Sequence, residues 1–186
     1  MAYCLTYNCG ADWEDYIPGE CGAFFLGGMS ASILFRCGVQ TDDVLTAGEV
    51  DETKVNALLA SGDAKLVTGI RLSLEAPSGV TTDSYVACQT DIAVTYDRTI
   101  TWQDRNVTPE NVTFYNSINA ASGFQVGGAL IRECDAARIT YVDSVMTFNG
   151  GRISPPGAEM QRFEFTVSYR ATGDAPIYED VPGIFE

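Results

Sequence analysis

Residues 86–102 alternate between two kinds of side chain, and this pattern constrains the fold more than any other feature of the sequence. The even-numbered positions are Val86, Cys88, Thr90, Ile92, Val94, Tyr96, Arg98, Ile100 and Trp102. A period of two indicates a β-strand with two different faces. Most strands have about five or six residues, whereas an extended chain over this segment spans roughly 55 Å. Because a domain of 186 residues has a radius of only about 16 Å, the strand must bend around a barrel, break near residues 97–98, or project from its domain.

A second alternating segment, residues 66–75, supplies a partner for this strand. We expect one face to hold Leu66, Ile70, Leu72 and Leu74, and the other to hold Arg71, Ser73 and Glu75. Residues 76–79 read Ala-Pro-Ser-Gly, and this turn chemistry ends the segment. The two segments are therefore predicted to form a long projecting hairpin. The alternative is two ordinary strands with a bulge or corner at residues 96–98.

Two short helices are indicated by their capping residues. Asp51 can cap a helix over residues 51–61, and Gly62 sits where that helix ends. Thr108 followed by a proline is a helix start, because proline is already set for the first helical position. This second helix is predicted over residues 109–121.

The remaining elements are strands, and they complete a mainly antiparallel fold. A short apolar run at residues 31–37 has the length of a strand. Residues 138–148 and 160–169 are expected to pair around a turn at the Asn-Gly-Gly sequence of residues 149–151. The fold class is therefore α+β, mainly antiparallel β, in the form of a small β-barrel or sandwich with a long hairpin and two short helices.

A single domain with extended arms is expected from the chain length and the distribution of residue types. Residues 1–30 contain no helical or strand period and read as a cysteine-rich N-terminal arm. Residues 31–170 form the β-rich domain. Residues 171–186, which contain two prolines and scattered apolar residues, are predicted to be an extended C-terminal arm.

The charge of the chain limits its partners. A formal net charge of −14 argues against ordinary binding to duplex DNA, in which lysine and arginine neutralise phosphates. Nine arginines stand against two lysines, a bias typical of protein interfaces, although the composition of the source genome is an equal alternative. No signal peptide or run of roughly 18 apolar residues is present, so we expect synthesis in a cytoplasm and no membrane anchor.

Six cysteines allow three interpretations. They are Cys4, Cys9, Cys21, Cys37, Cys88 and Cys134. They can be buried thiols, because free cysteine packs as a small hydrophobic side chain. Zinc would need closer pairs than the first four provide. They are also candidates for disulfides, which are rare in a reducing cytosol and would form after release from the cell.

The sequence offers no recognisable catalytic centre. It contains no histidine, which excludes Ser-His-Asp and Cys-His chemistry. The glycines at positions 27–28 and 127–128 lack the spacing and partners of a nucleotide-binding loop. Acidic residues at positions 12, 14 and 15 and at positions 42–43 are weak candidates for calcium. We therefore predict that the protein is not an enzyme and that it needs no cofactor.

The order of elements resembles that of the tail tube proteins of long-tailed bacteriophages. The resemblance covers residues 30–170, namely a short helix, long alternating strands, a capped helix and a paired strand whose residues 162–170 read Arg-Phe-Glu-Phe-Thr-Val-Ser-Tyr-Arg. It implies a homo-oligomeric hexameric ring that stacks into a tube, contacts sheath, baseplate or neck proteins, and lets DNA pass without specific binding. It also implies a place in the virion tail after synthesis in the host cytoplasm, with disulfides locking the subunits.

Two departures from that family leave other functions open. The cysteine-rich first 28 residues and the proline-containing tail do not belong to the compact family core. Neck, tail-completion and capsid-decoration proteins are therefore alternatives within the same class. A monomeric β-sandwich that binds sugars through its tyrosines and tryptophans is an alternative from another class, as is a protein with a cysteine-bound metal.

Overall fold

The computed structural model describes the barrel and the short segments that pack on it. The described residues are 14–16, 29–74, 78–80, 95–120, 125–133, 138–153, 161–171, 176–179, 181 and 183–185. In them the helices are α1 (Thr41–Val44), α2 (Glu52–Ser61) and α3 (Pro109–Ile118). The strands are β1 (Met29–Arg36), β2 (Leu45–Thr46), β3 (Glu49–Val50), β4 (Ala64–Leu74), β5 (Ser78–Val80), β6 (Thr95–Asp104), β7 (Val126–Glu133), β8 (Arg138–Val142), β9 (Met146–Ile153), β10 (Phe163–Ala171) and β11 (Ile177–Glu179).

The main sheet closes on itself as an antiparallel barrel. Its strands follow the order β1, β4, β6, β10, β9 and β7, and β7 pairs again with β1. At this closure Ser32 lies opposite Ile131, and its hydroxyl donates to the carbonyl of Leu130 at 3.0 Å. β8 and β11 extend the sheet beyond β7, and β5 pairs with the start of β6. The prediction of a mainly antiparallel fold with a small barrel is confirmed.

The interior of the barrel is filled by aromatic and branched side chains from the strands and from α3. Phe114, Tyr115 and Ile118 of α3 join Trp102 and Phe165 in one buried cluster. The rings pack mostly edge to face, and the centroids of the Trp102 and Phe148 rings lie 5.2 Å apart. Since such rings bury large areas, this cluster supplies much of the hydrophobic stabilisation.

A second buried cluster covers one half of the barrel's outer side. α1, α2 and the β2–β3 hairpin pack there on β1, β4, β7 and β8. Val44 and Val55 are the buried side chains of the two helices. Ile184 and Phe185 of the C-terminal segment belong to the same cluster, and the guanidinium of Arg132 lies 5.5 Å from the Phe185 ring centroid.

Both predicted helices form where their caps indicate. Asp51 accepts hydrogen bonds from the backbone of Thr53 and Lys54, and α2 ends at Gly62 in the left-handed conformation. Thr108 caps α3 as expected, but this helix ends at Ile118 rather than at residue 121. The helix stops because Asn119 turns into extended backbone and forms a bridge with β9.

The turn predicted at residues 149–151 is wrong, since these residues form a bulge inside β9. The register with β10 shifts between Glu164 and Phe165, and Gly150 and Gly151 both have positive φ, 108° and 88°. A Cβ at Gly151 would lie 2.8 Å from the Phe165 ring. The bulge therefore makes room for a buried aromatic ring, which residue preferences alone do not reveal.

The alternating segment around residues 95–104 is one unbroken strand. β6 pairs with β10 from Asp104 opposite Phe163 to Tyr96 opposite Ala171 without a register shift. The alternative of two strands with a break or bulge at residues 96–98 is therefore wrong. β6 also pairs with β4, as the hairpin prediction requires. Residues 81–94 lie outside the described residues, so the projecting tip of that hairpin stays a prediction.

The predicted faces of β4 need one correction at its start. Ile70 and Leu72 lie in the barrel interior as expected, but Leu66 packs against the outer cluster. The two ends of the strand are out of phase because Gly69 has a positive φ of 73° and the register with β1 is irregular. A single glycine bulge thus reverses the direction of the side chains before it.

The described parts of the two predicted arms lie on the barrel of the same chain. In the N-terminal segment Tyr16 is buried in the interior cluster, and Asp15 pairs with Lys65 at 2.9 Å. In the C-terminal segment β11 pairs with β8. The extended form of residues 1–30 and 171–186 is therefore not confirmed.

Candidate functional surface

Half of the barrel's outer side carries polar side chains that stay accessible to solvent. It is formed by the second half of β4 with β6, β10 and β9, on the side opposite α2. No described helix covers these strands on their outer side. We call this surface the bare face; its outward positions are Arg71, Ser73, Asp97, Thr99, Thr101, Gln103, Thr147, Asn149, Arg162, Glu164, Thr166, Ser168 and Arg170.

The centre of the bare face is polar but uncharged. Pairing between strands aligns its hydroxyl and amide side chains in two rows. One row holds Ser73, Thr101, Thr166 and Asn149, and the next holds Thr99, Ser168 and Thr147. Ser73, Thr166 and Asn149 are exposed, and the Asn149 amide donates to the Ser168 hydroxyl at 3.3 Å. The centre therefore presents hydrogen-bonding groups without charge.

The charged side chains that the structure describes on this surface lie at its two ends. At one end Arg170 and Asp97 form an ion pair at 2.8 Å. At the other end Arg162 lies 4.0 Å from Glu164, which also accepts from the Gln103 amide at 3.1 Å. Among the side chains that the structure describes there, three arginines including Arg71 stand against two carboxylates, a balance of one positive charge. The bare face thus lacks the negative charge that dominates the rest of the chain.

Beneath one end of the bare face, β6 carries a buried carboxylate. Asp104 is fully buried, and its Oδ2 lies 2.8 Å from the Tyr16 hydroxyl and 2.7 Å from the Tyr115 hydroxyl. Its Oδ1 accepts from the backbone amide of Asn106 at 2.7 Å. Burial raises the pKa of Asp104, against the opposing effect of these hydrogen bonds.

The same buried environment raises the pKa of both Tyr16 and Tyr115. Burial raises the pKa of Tyr115 well above its ordinary value, and the neighbouring Asp104 raises it further. The pKa of Tyr16 is raised by burial and by Asp104 in the same way. Trp102 donates its indole N–H to the Tyr115 hydroxyl at 3.0 Å, which extends the network into the barrel. These phenols therefore remain protonated at neutral pH.

Of the six cysteines, the structure describes Cys37. It is buried and disulfide-bonded, so at this position the sulfur is neither a free thiol nor a zinc ligand. The other five lie outside the described residues, and the predictions for them stay predictions. They are Cys4, Cys9, Cys21, Cys88 and Cys134.

The weak candidates for calcium binding, and the glycine pair at positions 127–128, have structural roles where they are described. Asp15 pairs with Lys65, and Asp43 accepts from the backbone amide of Gln40 at 2.9 Å. Among the described residues no group of acidic or cysteine side chains could hold a metal ion. Gly127 and Gly128 lie in β7, where a Cβ would meet a carbonyl oxygen of a flanking strand at 2.6 Å in both cases. Gly127 therefore allows the close approach of β1 that closes the barrel, and Gly128 allows that of β8.

Sequence reasoning missed Asp104 although the signal was present. The alternation that puts Ile100 and Trp102 on one face also puts Asp104 there, two residues further along. An acidic residue on an apolar face indicates a buried carboxyl with hydrogen-bond partners. The partner from the N-terminal segment, Tyr16, carries no comparable signal.

Comparison with known proteins does not identify a relative. No family model matches the sequence, and no curated protein or solved structure matches it significantly. Among the described helices none is long and apolar enough to span a membrane.

Proposed function

We propose that the protein is a structural subunit of a bacteriophage tail tube, which assembles as stacked rings around a channel for DNA. The resemblance to tail tube proteins implies a small β-barrel or sandwich flanked by a helix, and the antiparallel barrel with α2 on its outer side agrees with that architecture. A chain without histidine agrees with a role in assembly rather than in acid–base catalysis. The acidic net charge keeps DNA from adhering to the tube during passage.

The observation that carries this proposal is the bare face. Copies with a net charge of −14 repel one another, so association is favoured at a surface whose local charge is different. The described side chains of the bare face have an uncharged centre and a balance of one positive charge, and this face can therefore approach an acidic surface of the next copy. A contact between two different surfaces of identical subunits is heterologous, and such contacts form a ring when the rotation from one copy to the next closes.

Two added carboxylates on the bare face test this proposal. Ser73 and Thr166 are exposed, and the strand β6 lies between them. In the Ser73→Glu, Thr166→Glu double variant, like charges across the contact should weaken assembly by about 3 kcal/mol, roughly a hundredfold. The measurement is sedimentation velocity over a range of protein concentrations.

A matched control adds the same charge elsewhere. Asn56 and Ala60 are exposed on α2, so the Asn56→Glu, Ala60→Glu variant carries the same net charge away from the bare face. We expect this control to assemble like the unaltered protein. Equal assembly of both double variants would show that the bare face is not the contact surface.

A second candidate function is suggested by the hydroxyl-rich centre of the bare face. Rows of threonine, serine and asparagine side chains can exchange hydrogen bonds with the hydroxyl groups of a sugar. On this alternative the protein is a monomeric β-barrel that binds carbohydrate. Binding of a stable monomer to a glycan array, lost on Thr166→Glu, would support it over the tail tube.

A further inference from the structure

The Asn-Gly-Gly sequence of residues 149–151 lies on the bare face, where it interrupts the regular pairing of β9. The register between β9 and β10 shifts directly after Gly150. Gly150 and Gly151 both have positive φ, 108° and 88°. Asn149 and Gly150 are exposed. An accessible asparagine therefore stands directly before a glycine, at a place where the strand is irregular.

An asparagine that precedes a glycine can react with its own backbone. The backbone nitrogen of the glycine loses its proton and attacks the side-chain carbon Cγ, the bond from Cγ to Nδ2 breaks, and ammonia leaves. The product is a cyclic imide, the succinimide. Water then opens the ring at one of its two carbonyl groups, which gives an aspartate or an isoaspartate. The net change replaces the amide by a carboxylate and requires only water.

Three properties of Asn149 and its neighbours favour this reaction. Gly150 has no Cβ to crowd the forming ring, and glycine changes its backbone angles at low steric cost. The exposure of Asn149 gives water access to the ring. The Nδ2 of Asn149 donates to the Ser168 hydroxyl at 3.3 Å and to the Thr147 carbonyl at 3.5 Å, beyond the usual range of about 2.7–3.2 Å. The leaving group is therefore held weakly.

The other asparagines that the structure describes lack this combination. Each of them is followed by alanine, valine or serine, whose Cβ crowds the forming ring. Asn56 and Asn116 lie within helices, where a regular hydrogen bond holds the backbone nitrogen of the next residue. Asn111 is fully buried. Among the described asparagines, Asn149 is therefore the one at which we expect the reaction.

We infer that Asn149 is a site of spontaneous deamidation, and that this reaction weakens the contact between the bare face and a second copy as the protein ages. The effect on the contact rests on the proposed function. Asn149 lies in the uncharged centre, in the row that also holds Thr166. A carboxylate at this position changes the balance of the described charges from one positive to zero. The bare face then loses the local charge that favours approach to an acidic surface.

The isoaspartate product also affects the barrel itself. In isoaspartate the main chain runs through the side-chain carboxyl, so β9 becomes longer by one methylene directly before the bulge. The Asn119 amide donates to the Gly150 carbonyl at 2.8 Å, and Gly151 leaves room for the Phe165 ring. The longer chain displaces both contacts. This product therefore lowers the stability of β9 in addition to its charge effect.

Mass spectrometry of the aged full-length protein tests the chemical step. Asn149 is the single asparagine of the tryptic peptide 139–152, whereas peptide 106–132 contains four. After incubation at neutral and mildly alkaline pH, we expect peptide 139–152 to gain the mass of an amide-to-carboxyl exchange before peptide 106–132 does. The gain should be faster at the higher pH, because the attacking nitrogen must lose a proton. An unaged sample digested in parallel corrects for reaction during digestion.

The Asn149→Gln variant is the control for this step. It keeps the amide but requires a larger ring, which closes less readily, so its peptide should keep its mass under the same conditions. Labelling by an isoaspartyl methyltransferase identifies the isoaspartate product in the unaltered protein. No mass gain in peptide 139–152, or an equal gain per asparagine in both peptides, would overturn the inference.

Two aspartate variants test the effect on assembly. Asn149→Asp reproduces one product without ageing, and Asn56→Asp makes the same chemical change at an exposed position on α2. By sedimentation velocity, we expect assembly to weaken about tenfold in Asn149→Asp, since it adds half the charge of the Ser73→Glu, Thr166→Glu variant. Assembly of Asn56→Asp should be unchanged.

These measurements separate the inference from the proposed function. If the Ser73→Glu, Thr166→Glu variant weakens assembly and Asn149→Asp does not, the regulatory effect of deamidation is wrong and the proposed contact stands. If neither variant weakens assembly, the proposed contact is wrong and its regulation falls with it. A mass gain confined to peptide 139–152 supports deamidation at Asn149 in either case.

Discussion

Replacement of Trp102 by alanine should lower the free energy of unfolding by about 3–5 kcal/mol. Trp102 is the largest of the fully buried side chains in the described part of the chain, and its ring packs against Phe148. The variant leaves a cavity in the barrel interior and also removes the donor to the Tyr115 hydroxyl. Because domains of this size are stable by only about 5–15 kcal/mol, the loss is a large share of the total.

Denaturation in urea measures this loss, and a surface variant provides its control. Ile177 is 61% exposed on β11, so Ile177→Ala should change the free energy of unfolding by less than about 0.5 kcal/mol. The slope of the unfolding free energy against urea concentration should be the same for the unaltered protein, Trp102→Ala and Ile177→Ala. A loss below about 1 kcal/mol for Trp102→Ala would be incompatible with a closed and filled barrel.

Replacement of Gly151 by alanine should cost about 2–5 kcal/mol, well above the cost of the same change at Gly48. Gly151 and Gly48 have nearly the same backbone conformation, with φ of 88° and 87°. Alanine in this left-handed region costs about 1–2 kcal/mol at either position. At Gly151 the new Cβ also meets the buried Phe165 ring, which adds about 1–3 kcal/mol, whereas at Gly48 no atom lies within 4 Å.

The difference between the two glycine variants isolates the packing of the β9 bulge. Thermal or urea unfolding of Gly151→Ala and Gly48→Ala under identical conditions measures this difference in the free energy of unfolding directly. If residues 149–151 were an exposed turn, as their composition suggests, both variants would lose the same stability. Equal losses would therefore contradict the bulge.

Local features of the fold could be predicted because neighbouring residues determine them. The start and end of α2 follow from the Asp51 cap and from Gly62, and the start of α3 follows from Thr108. The alternation of β10 predicted its buried face, with Phe163 and the residues at every second position inside. These signals need only a few consecutive residues, and the structure agrees with them.

Features that depend on distant residues could not be predicted. The closure between β1 and β7 joins parts of the chain that are far apart, such as Ser32 and Leu130. The bulge at Gly151 makes room for the Phe165 ring, which packs beside it. A glycine in a sequence does not reveal whether its neighbour in space is solvent or an aromatic ring.

The candidate surface was predictable only in part. The outward positions of β6 and β10 follow from their alternation, so the hydroxyl rows were implied by the sequence. The sequence did not indicate which half of the barrel would be covered, because that depends on where α2 and the C-terminal segment pack. The burial of Asp104 was implied by alternation, but its partner Tyr16 comes from a segment without periodicity.

Electron microscopy of the purified protein at increasing concentration tests most directly whether it is an assembly subunit. We predict annular particles with a central channel, and stacks of them at the highest concentrations. Assembly should respond to the Ser73→Glu, Thr166→Glu variant and not to its α2 control. Compact monomers at every concentration would contradict the proposed function.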